Sequence, residues 1–310
     1  MTFYNTNELN KLILNDAKAF SEKSEELYEK QILETAESIA FHHDEKPIIL
    51  ASGPSGAGKT TTAMRIASVL GQLGLKTHVI SLDNYFLPLN IDGKPRVNLS
   101  KIDLESPERL DFELLKNHIE AFKNCEEVTL PIFAFAEQKR LDGSILRRKE
   151  NELIILEGIH ALNPAVTESV SDYTTSFYVC VNTQVNFGGG ALRGEKIRLM
   201  RRLIRDHLFR GRTVHDILKS FLSVERGEKL YIHPFKNNAE YEVNTFMPYE
   251  IFVYNSLLLS ELEQLSPDGE SFDYVRDIIA FFHEAEQLPP EIAPSHSLIR
   301  EFIGGSAFVY

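Results

Sequence analysis

The chain has 310 residues, 43% of them hydrophobic and 25% charged, with a formal net charge of −12. That length buries a sizeable core, the composition is ordinary for a globular protein, and no apolar run is long enough to span a bilayer. The acidic balance argues against broad nucleic-acid binding, so an anionic ligand must find a local basic site.

The amino terminus, Met1-Thr2-Phe3-Tyr4-Asn5, has neither the basic start nor the apolar run of a secretory signal, and Cys125 and Cys180 are the two cysteines. A reducing cytoplasm is the expected setting, with both thiols as packing residues. Residues 7–43 read as two amphipathic helices, the second carrying Tyr28, Ile32, Ala36 and Ile39 on one face. They form an expected helical extension over residues 1–45, followed by a main domain over 46–256.

From Pro47 short apolar β-rich runs alternate with helical segments: Pro47 to Ala51, Thr77 to Leu82, Leu153 to Leu156 and Ser176 to Val181. Such alternation predicts an α/β fold in three layers, α/β/α, around a parallel sheet. Between the first run and a helix over Thr61 to Leu73 stands Gly53-Pro54-Ser55-Gly56-Ala57-Gly58-Lys59-Thr60, a complete G-x-x-x-x-G-K-T phosphate loop. Its glycines let successive N–H groups point at phosphate oxygens, Lys59 adds a point charge, and the Thr60 hydroxyl is a Mg²⁺ ligand. Gly53, Ser55, Gly56, Ala57, Gly58, Lys59, Thr60 and Thr61 are therefore the expected cradle of a nucleoside triphosphate in a P-loop NTPase fold.

Asp83 follows the second apolar run, which places a carboxylate beside the phosphate loop. It is the candidate general base for a hydroxyl attacking a γ-phosphoryl group, the alternatives being a helix cap or a Mg²⁺-ordering acid. The polar stretch from Asn84 to Pro107 reads as a long excursion above the carboxyl edge of the sheet. Glu157 ends the third run, where a carboxylate orders Mg²⁺ directly or through water; His160 reads as structural. Gly188-Gly189-Gly190 reads as a flexible spot, and a basic segment follows. Within it Arg198, Arg201, Arg202 and Arg205 share one helical face, beside an apolar stripe of Ile197, Met200, Ile204 and Leu208. In an acidic chain this segment predicts a phosphate-covering lid over about residues 188–215.

The phosphate loop, Asp83, Glu157-Gly158 and the R-x-x-R-D-x-x-x-R-G-R run from Arg202 to Arg212 occur in the order seen in the uridine kinase and phosphoribulokinase family, which the chain resembles over about residues 47–245. The lid arginines most resemble those of uridine–cytidine kinases. The resemblance implies ATP and Mg²⁺ as cofactors, a small-molecule nucleoside as partner, and phosphorylation of its 5′-hydroxyl. It further implies Asp83, Lys59, Arg205 and Arg210 as catalytic residues, Thr60, Glu157 and Asp83 around the metal, and Tyr85, Glu105, Phe133, Phe135, Gln138, Arg202 and Arg212 on the substrate. Glu105, within Asp103-Leu104-Glu105-Ser106-Pro107, stands where the family places an Asp that holds ribose hydroxyls. The segment Leu130 to Arg140 resembles the base-recognition stretch with Phe133 in place of Tyr and Gln138 in place of His, so the expected nucleoside is either uridine- or cytidine-like or one chosen with a relaxed or altered base preference. The same fold also serves enzymes that phosphorylate a sugar phosphate or pantothenate, and a non-catalytic ATP-dependent switch is a third reading. Residues 257–310 are expected to be a helical extension for packing or subunit contact, with helices near Phe272 to Gln287 and Ser297 to Ile303; a homo-oligomer is compatible with that. No membrane or nucleic-acid partner is expected.

Overall fold

A computed structural model describes residues 1–91, 94–95, 103, 105–267 and 269–309. In chain order its first half contains β1 (Thr2–Asn5), α1 (Thr6–Phe41), β2 (Ile48–Ser52), α2 (Lys59–Gln72), β3 (Thr77–Ser81), the short β4 (Asn90–Ile91) and β5 (Lys94–Pro95), α3 (Phe112–Lys123), β6 (Glu127–Ala134) and β7 (Lys139–Arg147). Then come β8 (Leu153–Glu157), α4 (Pro164–Thr167), β9 (Thr174–Cys180), β10 (Thr183–Phe187), β11 (Gly190–Arg193), α5 (Gly194–Arg210), α6 (Val214–Tyr231), β12 (Tyr241–Asn244), α7 (Glu250–Leu262), α8 (Glu270–Glu284) and α9 (Arg300–Ile303).

Among the described residues a five-stranded sheet runs in the order β12-β9-β2-β8-β3, with every pairing parallel. Strands β2, β8 and β9 are buried at every position, which is why β2 and β8 read as near-continuous apolar runs rather than alternating ones. Their side chains still alternate between faces. Ile49, Ala51, Ile155, Phe177 and Val179 join one apolar cluster, whereas Ile48, Leu50, Ile154 and Leu156 join another. The sheet is thus the middle of three layers: α3 and α4 supply Leu115, Ile119, Phe122 and Val166 on one side, while α2, α5 and α7 supply the other.

The terminal regions share that second core. Helix α1 is interrupted at Asp16 (φ −161°, ψ 92°), so it comprises the two expected helical pieces, and Tyr28, Ile32, Ala36 and Ile39 are all buried. Val275, Ile278 and Phe281 of α8 and Phe302 of α9 enter the same cluster. The strand at Thr2–Asn5 is not evident from sequence: it pairs parallel to β10, and with β11 forms a separate small sheet. The Gly188–Gly190 turn that joins β10 to β11 is pinned rather than loose, because Glu284 accepts hydrogen bonds from the Gly188 and Gly189 N–H groups at 2.7 and 3.1 Å. Residues 92–93, 96–102 and 104, part of the expected excursion after Asn84, lie outside the described residues. No described helix is long and apolar enough to cross a membrane.

Candidate active site

The first turn of α2 has no side-chain cap: Gly58, at φ 85°, leads into it and leaves the helix N–H groups directed at whatever lies above the loop. Above it opens a cavity of about 710 Å³ bordered by Ser55, Gly56, Lys59, Thr60, Asp83, Glu157, Arg202, Arg205 and Arg210, which brings together most of the catalytic and cradle residues expected from sequence. A volume of that size suits a small-molecule ligand.

The acids fall where the strands end. Strand β3 stops at Ser81, and a short 3-10 turn over Leu82–Tyr85 follows, with Ser81 Oγ accepting from the Asp83 N–H. Asp83 thus faces the cleft. Its side chain is open to solvent in the cleft, yet the protein crowded around it desolvates the carboxylate enough to raise its pKa above the ordinary value, while Lys59, Arg210 and Arg205 pull it down. Glu157, at the end of β8, is buried, and its Oε1 accepts from Thr60 Oγ1 at 3.3 Å. Burial pushes the Glu157 pKa up to about 7, with the negative charge of Asp83 adding to the push and Lys59 opposing it. Two crowded carboxylates beside a threonine hydroxyl make an oxygen-rich setting that a hard divalent cation would neutralise, so these residues fit Mg²⁺.

Helix α5 supplies the arginines, and they are less free than a solvated basic face would be. Arg198 pairs with Glu228 at 2.6 Å and donates to Ser55 O at 2.9 Å, while Glu228 accepts from the Ser55 N–H. Arg201 is fully buried: it pairs with Glu250 at 2.8 Å and donates to Gly56 O and to Thr245. These two side chains brace the phosphate loop from outside. Arg202 donates to Ser55 Oγ at 2.5 Å, and its buried Nε has no hydrogen-bond partner among the described residues, a donor suited to a phosphate oxygen. Asp206, fully buried, gathers Arg205 at 2.8 Å, Arg210 at 3.2 Å, Arg202 at 3.7 Å and Arg212 at 3.9 Å. Although burial works against its charge, Arg205, Arg202 and Arg210 lower its pKa. Of the expected apolar stripe, Ile197, Met200 and Ile204 are buried, but Leu208 is 53% exposed because it lies beyond the packed part of α5.

The expected substrate residues divide. Glu105 borders the cleft against α6, where a Cβ on Gly227 would stand 2.3 Å from its own Cβ, and burial pushes its pKa up to about 7. Tyr85 is displaced from the cleft: it is buried, and its hydroxyl is 3.0 Å from His118 Nδ1. The 3-10 turn presents Phe86 to the cavity instead. Phe86 is backed edge-to-face by Phe133 at 5.8 Å and Phe135 at 6.4 Å, so those two rings support the cavity wall rather than line it. Gln138 sits at φ 51° in the β6–β7 turn, donating from Nε2 to Phe135 O at 2.7 Å and accepting the Leu89 N–H on its carbonyl. Arg212 is turned toward α6, where it donates to Asp216 O and Ser220 Oγ, and it does not border the cavity. Burial lowers the His160 pKa to about 4, which leaves it a neutral packed ring.

Arg300, Glu301, Gly304, Gly305, Ser306 and Phe308 also border this cavity, together with Phe209. Part of the carboxyl-terminal extension, expected to serve packing or subunit contact, thus stands at the cavity itself. Their approach depends on a chain reversal more than two hundred residues after the phosphate loop, which no local pattern signals.

A family profile described as the phosphoribulokinase/uridine kinase family matches residues 48–250. A uridine kinase of Halobacterium salinarum is 27% identical over 190 residues, covering 61% of this chain and 76% of that protein. A uridine kinase of Schizosaccharomyces pombe is 33% identical over 172 residues, covering 55% of this chain but only 34% of the longer relative. Among solved structures, a candidate fructose transport system kinase from Silicibacter sp. TM1040 aligns with a TM-score of 0.46 at 20% identity, over 68% of this chain and 98% of that one.

Proposed function

The chain belongs to the phosphoribulokinase/uridine kinase family, and from that premise we propose that it transfers the γ-phosphoryl group of ATP to the 5′-hydroxyl of a nucleoside. The observation that carries this reading is the convergence of Asp83, Lys59, Glu157, Arg205 and Arg210 on one cavity above the phosphate loop. Asp83 accepts the hydroxyl proton as the new oxygen–phosphorus bond forms, and the bond from phosphorus to the departing nucleoside diphosphate breaks in line with it. A carboxylate whose basicity is raised by its surroundings is a better acceptor for that proton than one free in water. Lys59, Arg205 and Arg210 stabilise charge on the phosphoryl oxygens; Arg210 reaches them by leaving Asp206, to which it is held while 57% exposed. Thr60 and Glu157 would hold Mg²⁺, which supplies charge neutralisation across the transferring phosphates.

On the acceptor side, Phe86 with its Phe133 and Phe135 backing supports stacking on a planar base, and the Glu105 carboxylate supports contact with vicinal sugar hydroxyls. A second reading, phosphorylation of a different small alcohol, is favoured by one observation: Gln138 and Arg212, both expected on the nucleoside, are bonded elsewhere. Single-turnover measurements on Asp83→Asn test the mechanism. Nucleotide and nucleoside should bind as in the wild type while the transfer rate falls about 10²–10⁴-fold; transfer within tenfold of wild type would remove Asp83 as the base.

A further inference from the structure

Residues 300–308 lie beyond the stretch that matches the family, yet Arg300, Glu301, Gly304, Gly305, Ser306 and Phe308 among them form one wall of the cavity. Leu298 packs on the phosphate loop so closely that a Cβ at Gly58 would stand 2.8 Å from its Cδ1. The Thr61 hydroxyl, at the start of α2, donates to Glu301. Two further bonds fix the approach: Arg65 of α2 donates to His296 O at 2.8 Å, and the Tyr249 and Ser297 hydroxyls are 3.0 Å apart.

Sheet order decides which side of the loop this wall occupies. Strand β3, which delivers Asp83, and strand β12, which leads to Tyr249, are opposite edges, with β2 and its phosphate loop between them. The wall is therefore anchored on the β12 side, across the loop from the proposed base. Phosphoryl transfer displaces the leaving group in line with the attacking oxygen. A donor presenting its terminal phosphoryl toward Asp83 extends its nucleoside the other way, over the start of α2 and onto this wall.

The side chains there match such a group. Glu301 is an acceptor suited to sugar hydroxyls, while Phe209, 58% exposed in the last turn of α5, and Phe308 bring aromatic rings to the cavity, suited to a base. Gly304, at φ 85°, brings the backbone against Phe209, since a Cβ there would lie 2.8 Å from the ring. We infer that the carboxyl-terminal segment completes the donor subsite, with Glu301 taking the donor's sugar and Phe209 and Phe308 its base. This rests on the reading of the loop as an ATP site and not on the identity of the acceptor.

Calorimetric titration with Mg·AMP-PNP, and separately with magnesium tripolyphosphate, tests it on the full chain, on Phe209→Ala, Phe308→Ala and Glu301→Gln, and on a chain stopped after Ile303. The stopped chain retains Leu298, Ile299 and Phe302, which are fully buried, so its core is kept. The expected result is AMP-PNP affinity weakened about tenfold or more by each aromatic variant and by the stop, in keeping with the loss of a base-stacking contact. Tripolyphosphate affinity should stay within twofold. AMP-PNP affinity unchanged in every variant, or tightened as if a plug had been removed, would overturn the inference. Wild-type protein that binds AMP-PNP through these residues but phosphorylates no acceptor would refute the proposed activity and leave this subsite standing.

Discussion

Replacing Arg201 by Met breaks the most deeply buried ion pair that braces the phosphate loop. Arg201 and Glu250 are both fully buried, and the guanidinium spends its donors on Glu250, Gly56 O, Thr245 Oγ1 and Thr245 O. Met fills the space of the stem but leaves the Glu250 carboxylate with the Met247 N–H and the Tyr254 hydroxyl as its remaining partners. Removing one member of such a pair costs about 3–5 kcal/mol. With an unfolding entropy of about 2.1 cal/mol/K per residue over 310 residues, that loss lowers Tm by about 5–8 °C. Differential scanning calorimetry at pH 7.5 on Arg201→Met, Glu250→Gln and the double variant gives the full cycle. The double variant should recover at least half of the loss suffered by Arg201→Met, because Gln carries no charge that needs a partner and keeps an oxygen for Tyr254. A Tm within 1 °C of wild type for Arg201→Met, or a double variant that loses the sum of both single losses, would refute the argument that uncompensated charge is the cause.

Three other expectations follow from the cleft. Arg210→Ala should lower kcat about a thousandfold while shifting Tm by no more than about 1 °C, since the side chain is 57% exposed; steady-state kinetics and calorimetry on one preparation check both. Glu157 has a folded pKa raised from 4.5 to about 7, so its contribution to stability is present below pH 4.5 and is lost as pH rises through 7. Glu157→Gln should therefore melt above wild type at pH 8 in chelator and match it at pH 4.5; equal melting at both pH values would contradict the raised pKa. Gln138→Gly should leave the rank order of acceptors unchanged, because the Gln138 amide is spent on Phe135 O and glycine accepts the left-handed backbone there, so an altered base preference in a product assay would show that the side chain reads the substrate.

Much of the frame was legible because its cause is local. The runs at 48–52 and 153–157 are apolar almost throughout since both faces of their strands are covered, and the phosphate loop depends on glycines at fixed offsets. Asp83 and Glu157 follow from strand ends on one edge of a parallel sheet. What sequence left out depends on chain reversal over long distances. A helical repeat places Arg198, Arg201 and Arg202 on one face but says nothing of Glu228 and Glu250, which convert a basic face into a buried brace. A one-residue advance through the 3-10 turn moves Tyr85 into the core and gives Phe86 to the cleft. The strand at Thr2–Asn5 is too short and exposed to carry a periodic signal, and it exists through its pairing with β10. The wall formed by Glu301, Gly304 and Phe308 has no motif, because its neighbours are α2 and α5.

The central claim is that this cavity joins the γ-phosphoryl of ATP to a nucleoside 5′-hydroxyl. Its most direct test is to incubate the purified protein with Mg·ATP and a panel of ribo- and deoxyribonucleosides, with ribulose 5-phosphate and pantothenate alongside, and to read products by mass. A nucleoside gaining one phosphate at the 5′ position, with an equal amount of ADP, is the predicted result. Phosphate gained only by ribulose 5-phosphate or pantothenate, or ATP bound with no acceptor phosphorylated, would contradict it.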